Sequence, residues 1–189
     1  MKKILLFFIL GYIFISCSRS VQAAEEFTTS YNVVYNVMET GVTAVTQNIA
    51  ITNKTSNYYV SDYTLTISST EVKNVHGEDG EGPLKIIVNK GENNTEIKIS
   101  FNQKIAGLAK TLKFTLFYES DDIATHIGKI WEVNIPKLTK SEEINDYKVS
   151  LKVPPSFGEP TYVYPSSVGK ESTFTKEQLE KNGVTLTFG

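Results

Sequence analysis

Seven stretches of this chain alternate apolar and polar residues one for one, a period that fits a strand with one buried face and does not fit a helix. Val45, Gln47, Ile49 and Ile51 alternate with Thr46, Asn48, Ala50 and Thr52, and Tyr63, Leu65 and Ile67 alternate with Thr64, Thr66 and Ser68. The pattern returns at Ile97, Ile99 and Phe101; at Leu112, Phe114, Leu116 and Tyr118; at Trp131, Val133 and Ile135; at Tyr147, Val149, Leu151 and Val153; and at Val184, Leu186 and Phe188. The opposite face carries Thr, Ser, Lys and Asn, as antiparallel sheets with a wet outer side require.

Turn-forming residues punctuate these runs at 39–41, 53–57, 77–83, 89–94, Gly107 and Gly128. Short strands at such intervals predict an all-β fold, an antiparallel immunoglobulin-like β-sandwich over residues 31–189, and not parallel α/β units. One short C-terminal helix is predicted at 175–181, with Thr175 as N-cap, Gln178 three residues on, and Gly183 as the stop. A polar connector at 136–146 marks a sub-boundary, and 154–158 reads as a rigid loop. Three short strands and a small helix would not form a core of their own, so one domain is expected.

Ahead of this domain, Lys2 and Lys3 precede an apolar run from Ile4 to Ile15 and a polar stretch ending Val21-Gln22-Ala23, the layout of a secretory signal helix over 1–23. A spanning helix needs roughly 20 apolar residues and about a dozen stand here, so an uncleaved anchor is the weaker reading. Phe14-Ile15-Ser16-Cys17 also partly resembles a bacterial lipobox, which would make 1–16 a lipoprotein signal and Cys17 a lipidated first residue. Phe14 departs from the leucine usual there. Cleavage after Ala23 and lipidation of Cys17 both stay open, and residues 24–30 read as a tether.

Charge and residue types narrow the functions. Of the 19 basic residues, Lys2, Lys3 and Arg19 lie in the signal, so cleavage after Ala23 leaves 16 lysines against 21 carboxylates, a net charge of −5. Arg19 is the sole arginine, which argues against nucleic acid or an anionic membrane surface as partner. Membrane contact is expected only through the signal or a lipid on Cys17. No cysteine follows position 17, which removes disulfides, a nucleophilic thiol and soft-metal ligands from the mature chain.

No catalytic, cofactor or metal residue is assigned. His76 and His126 are the only histidines, each near carboxylates (Glu78, Asp79 and Glu81; Glu119, Asp121 and Asp122), but neither spacing matches a zinc or hydrolase signature. The acidic loops offer oxygen ligands to calcium but lack the EF-hand order, and turn formation explains them as well. Among aromatics, Tyr58-Tyr59 is a further cluster, Trp131 shares an apolar strand face and reads as core, and Tyr162 and Tyr164 share a face beside Pro160 and Pro165. Tyr162 and Tyr164 are the candidate ligand surface. The Asn-x-Thr patterns at 53–55 and 93–95 and the Gly107–Thr111 likeness to a phosphate loop are treated as coincidence.

Three stretches together, Thr28–Val33 with Val45–Ile49, Trp131–Pro136, and Val153–Pro160, resemble the non-catalytic N-terminal β-sandwich found ahead of transglutaminase-like domains in exported bacterial proteins. The resemblance implies chemistry in a downstream Cys-His-Asp core, and no residue of this chain matches that triad. It also implies an orphan or truncated accessory domain.

The expectation is therefore a non-enzymatic, exported module at the bacterial cell envelope that spaces or docks a partner protein or domain and needs no cofactor. The alternatives are a carbohydrate- or peptide-binding module using Tyr162 and Tyr164, and a hydrolase using His126 with Asp121 or Asp122.

Overall fold

The computed structural model describes residues 26–139, 141, 143–167 and 172–189. The signal over 1–23, the lipobox alternative at Cys17 and the first residues of the tether lie outside them.

The described chain is all-β with sandwich-like sheets. The long strands β1 (Phe27–Val37) and β2 (Thr43–Asn53) form a hairpin, and β3 (Tyr59–Ile67), β4 (Val72–Asp79), β5 (Gly82–Pro83), β6 (Lys85–Lys90), β7 (Thr95–Ala106) and β8 (Thr111–Ser120) follow. Then come β9 (Ala124–Ile127), β10 (Ile130–Ile135), β11 (Ile144–Lys152), a 3₁₀ turn (Pro155–Phe157), β12 (Pro160–Tyr164), β13 (Thr173–Phe174), helix α1 (Lys176–Asn182) and β14 (Val184–Phe188). A seven-stranded sheet runs β13-β11-β1-β2-β8-β4-β5, a four-stranded sheet β12-β14-β10-β9, and a three-stranded sheet β3-β7-β6.

Alternation places the odd residues of β1 and β2 and the even residues of β8 on one face of the large sheet, where Val33, Val45, Ile49, Phe114 and Leu116 are buried. Ile97 and Ile99 of β7 and Val133 and Leu186 of the four-stranded sheet belong to the same buried cluster. The three sheets therefore share one core. Phe114 meets Tyr63 edge-on at 5.9 Å between ring centroids and Phe101 at 4.9 Å, so the three-stranded sheet lies on the inner face of the large one.

Three departures from the sequence reading have physical causes. β11 pairs parallel with β1, from Thr29↔Ile144 to Asn36↔Lys152, whereas antiparallel pairing was expected. Period two is the same in either direction, and no hairpin fixes the orientation of strands so far apart in sequence. The acidic stretch at 77–83 is not all turn, because β4 runs through Asp79 and pairs with β8, leaving Gly80 and Glu81 to reverse the chain. β1 begins at Phe27, inside the stretch read as a tether.

The helix forms as the sequence predicts. Gln178 Oε1 accepts from the Thr175 N–H at 3.0 Å, and the capping box is complete. Gly183 ends the helix at φ +71°, and a Cβ there would stand 2.8 Å from the Ile135 carbonyl oxygen. Only glycine fits both conditions. Buried Leu179 joins the helix to the core, and its carbonyl accepts from Leu138 N–H at 3.1 Å, tying the chain just after β10 to the helix.

Candidate functional site

Tyr162 and Tyr164 lie on β12, an edge strand of the four-stranded sheet, and are 52% and 47% exposed. Val163 between them points inward, as period two demands. Register carries the outer face across the sheet: Tyr164 stands opposite Thr185 and that residue opposite Asn134, while Tyr162 stands opposite Thr187, then Glu132, then Thr125. Three strand spacings make this row about 14 Å wide. Thr185 Oγ1 donates to Asn134 Oδ1 at 2.9 Å, and Asn134 Nδ2 donates to Glu132 Oε1 at 2.5 Å. Beyond Glu132 the face ends in Ile127 and Ile130, which flank the Gly128-Lys129 turn and are 64% and 49% exposed. The predicted tyrosine pair thus stands at one margin of a polar row with two exposed isoleucines at the other.

A second site was not read from the sequence. Tyr31 and Tyr35 on β1, Gln47 on β2, Tyr118 on β8, Tyr147 on β11 and Tyr63 on β3 surround a cavity of about 480 Å³ between the large sheet and β3. The Tyr31 and Tyr63 hydroxyls are hydrogen-bonded to each other, and Tyr31 packs on Tyr147 at 5.0 Å between centroids. Gln47 is 4% exposed; its Nε2 donates to the Tyr118 hydroxyl at 3.1 Å, and its Oε1 has no partner in the described chain. Burial pushes the Tyr118 phenol up to about 12. Burial, and then the neighbouring phenols, also raise Tyr31 and Tyr35, and burial raises Tyr147. One signal for this site stood in the sequence: Gln47 interrupts the apolar face formed by Val45, Ile49 and Ile51.

The remaining candidates are held in other roles. His76 stacks on Phe117 at 5.0 Å and its Nδ1 lies 2.9 Å from the Asn74 carbonyl. His126 stacks on Trp131 at 4.6 Å, while Asp121 pairs with Lys73 and Asp122 accepts from Ser120. The geometry therefore does not join His126 to either carboxylate. Trp131 faces inward as expected but is only half-buried, sandwiched between His126 and Phe157, the latter at 4.4 Å and 12°. A Cβ at Gly41 would meet its ring at 2.9 Å.

In the acidic loop, Asp79 accepts from the Glu81 and Asn102 N–H groups at 2.9 and 3.1 Å and from Asn102 Nδ2 at 3.0 Å. Slight burial pushes its carboxyl up, but these bonds outweigh it and hold it below the ordinary value. That carboxylate builds the turn. Among the described residues no group of three or more His, Cys, Asp or Glu is placed to hold a metal ion. Tyr58 and Tyr59 are exposed, with Lys104 Nζ 5.1 Å from the Tyr59 ring centre. Asn53 is 2% exposed and its amide is spent on the Tyr58 carbonyl and the Thr55 N–H, which removes it as a glycan acceptor. Residues 107–110 form a tight turn between β7 and β8, not a phosphate loop.

No protein-family model matches the sequence, and no curated protein matches it. Solved structures are similar in fold. A two-domain M1 zinc metallopeptidase bound to L-tryptophan superposes with a TM-score of 0.52 at 10% identity, over 87% of this chain and 43% of that one. The M1 zinc metallopeptidase of Deinococcus radiodurans gives 0.51 at 10%, over 87% and 42%, and native yeast LTA4 hydrolase 0.51 at 7%, over 86% and 29%. The chain spans less than half the length of these proteins, and at such identity the likeness is one of fold.

Proposed function

We propose that this protein is a non-enzymatic, exported β-sandwich module that holds a partner protein or catalytic domain at the cell envelope, docking it on the outer face of the four-stranded sheet. The observation that carries this reading is the exposure of Tyr162, Tyr164, Ile127 and Ile130 together on that face. Tyrosine is enriched where proteins meet, because a rigid ring with a polar tip buries much area at little entropic cost. Two further observations support it. The two histidines stand on different sheets, each stacked on an aromatic ring. The same fold makes up less than half of two-domain metallopeptidases, so it is compatible with life beside a larger body. The transglutaminase-like domain implied by the sequence resemblance is the partner proposed.

A photo-crosslinking residue placed at 162 tests the reading in the native host, with position 58, equally exposed, as control. One defined adduct from 162 that is lost in Tyr164→Ala and absent from 58 is expected. Equal labelling from both positions, or none, contradicts docking on this face. A second reading rests on the polar row of Thr185, Asn134, Thr187 and Glu132 beside the tyrosine pair, which offers hydroxyl partners next to stacking surfaces, as a glycan needs. Calorimetric binding of cell-wall glycan fragments that is abolished by Tyr162→Ala would favour it over protein docking.

A further inference from the structure

We propose that the cavity between the inner face of the seven-stranded sheet and β3 is a binding site for a small uncharged polyol of the monosaccharide class, oriented by the Gln47 amide and the phenols around it. At about 480 Å³ it falls within the roughly 300–1,000 Å³ of small-molecule sites. This inference is independent of the docking face, which belongs to another sheet.

The first argument is Gln47. A core that only had to pack would carry an aliphatic side chain there, as it does at Val45 and Ile49 on the same face of β2. Instead a glutamine is held 4% exposed with its Nε2 fixed on Tyr118 and its Oε1 unpartnered. Buried carbonyl oxygens are hydrogen-bonded in folded proteins, so this one, unpartnered among the described residues, calls for a donor from outside them. A ligand hydroxyl supplies it.

The second argument is charge. The phenols around the cavity stay protonated, because burial disfavours tyrosinate. Among the described residues, the charged ones that line the cavity are Lys137 and Glu143, both exposed at the rim. In the interior, between the phenols and Gln47, a charged ligand would give up its hydration without meeting a counter-charge among the described residues, whereas a neutral one gives up only hydroxyl hydration that phenols replace.

The third argument is the character of the wall. Residues 63–68 of β3 and its exit line the cavity consecutively, and among the described residues β3 is hydrogen-bonded on one side only, to β7. The strand thus meets the cavity with its backbone edge, which adds donors and acceptors beside the aromatic pair of Tyr31 and Tyr147 in the wall. Aromatic rings next to hydroxyl-matching edges suit the apolar and polar sides of a sugar ring.

The test is saturation-transfer NMR and calorimetry on the full chain with D-glucose and N-acetylglucosamine, against the charged analogues glucosamine and glucuronate. At least one neutral sugar is expected to bind, with the charged analogues about tenfold weaker or worse. Gln47→Leu should weaken binding about tenfold, and Tyr118→Phe several-fold, since each removes one hydrogen-bonding group. If Gln47→Leu does not fold, Tyr118→Phe, which loses a single oxygen, carries the test. A Tyr162→Ala/Tyr164→Ala variant should bind as the parent does. Absence of binding by both neutral sugars, equal binding of the charged analogues, unchanged binding in the folded cavity variants, or loss of binding in the Tyr162→Ala/Tyr164→Ala variant would each overturn the assignment.

Discussion

Tyr35 and Tyr118 of the large sheet are each 5% exposed, whereas Tyr162 and Tyr164 of the small sheet are 52% and 47% exposed, although all four occupy alternating strand positions. The difference lies in what covers each face. Tyr35 and Tyr118 look towards β3 and the connector after β10, while Tyr162 and Tyr164 look away from the core behind Val163 and Leu186. Alternation decides which side of a strand a residue takes, and the layering of sheets decides whether that side is dry. One residue type therefore forms a buried hydrogen-bonding wall in one place and stands exposed on a sheet face in the other.

Alkali should separate the two groups with the largest effect. Burial pushes the Tyr118 phenol up to about 12 from an ordinary value of about 10, and Tyr31, Tyr35 and Tyr147 are raised as well. Their folded values lie above the unfolded one, so their stabilising contribution is complete below about pH 10 and is lost as pH rises through the folded values. Thermal melts between pH 8 and 12 should fall steeply only above about pH 10, ending in unfolding. A flat profile would mean that the cavity phenols are solvated like those of β12.

Truncation gives the next contrast. Tyr35→Ala removes a buried ring and should cost about 3–5 kcal/mol in urea unfolding. Gly183→Ala follows at about 1–3 kcal/mol, from the positive φ and the contact with the Ile135 carbonyl, and should loosen α1 and β14 first in hydrogen exchange. Tyr164→Ala should stay within about 0.5 kcal/mol of the parent while losing the adduct formed from position 162. A large stability loss at Tyr164 would make that residue part of the core and remove the docking face.

Most of the fold was legible because period two survives in single sequences: β2, β3, β7, β8, β10, β11 and β14 lie on the runs read as strands, and the Thr175/Gln178/Gly183 signals bracket α1. The parallel pairing of β11 was not legible, since direction leaves no trace in alternation. Nor was the strand character of 77–79, where Gly77 and two acidic residues look like a turn but pair with β8 from the sheet margin. At the candidate sites the sequence found what one strand can display, the shared face of Tyr162 and Tyr164. It missed the cavity, whose walls come from β1, β2, β3, β8 and β11 and meet only through sheet register and layering. Gln47 on an apolar face was the trace it left.

Tyrosine nitration of the native protein, mapped by peptide mass spectrometry, tests most directly whether position in the layers divides the tyrosines into two uses. The account predicts rapid modification at Tyr162 and Tyr164 and protection of Tyr35 and Tyr118 until the chain is unfolded. Modification of Tyr35 and Tyr118 in the native protein at rates close to those of Tyr162 and Tyr164 would contradict it.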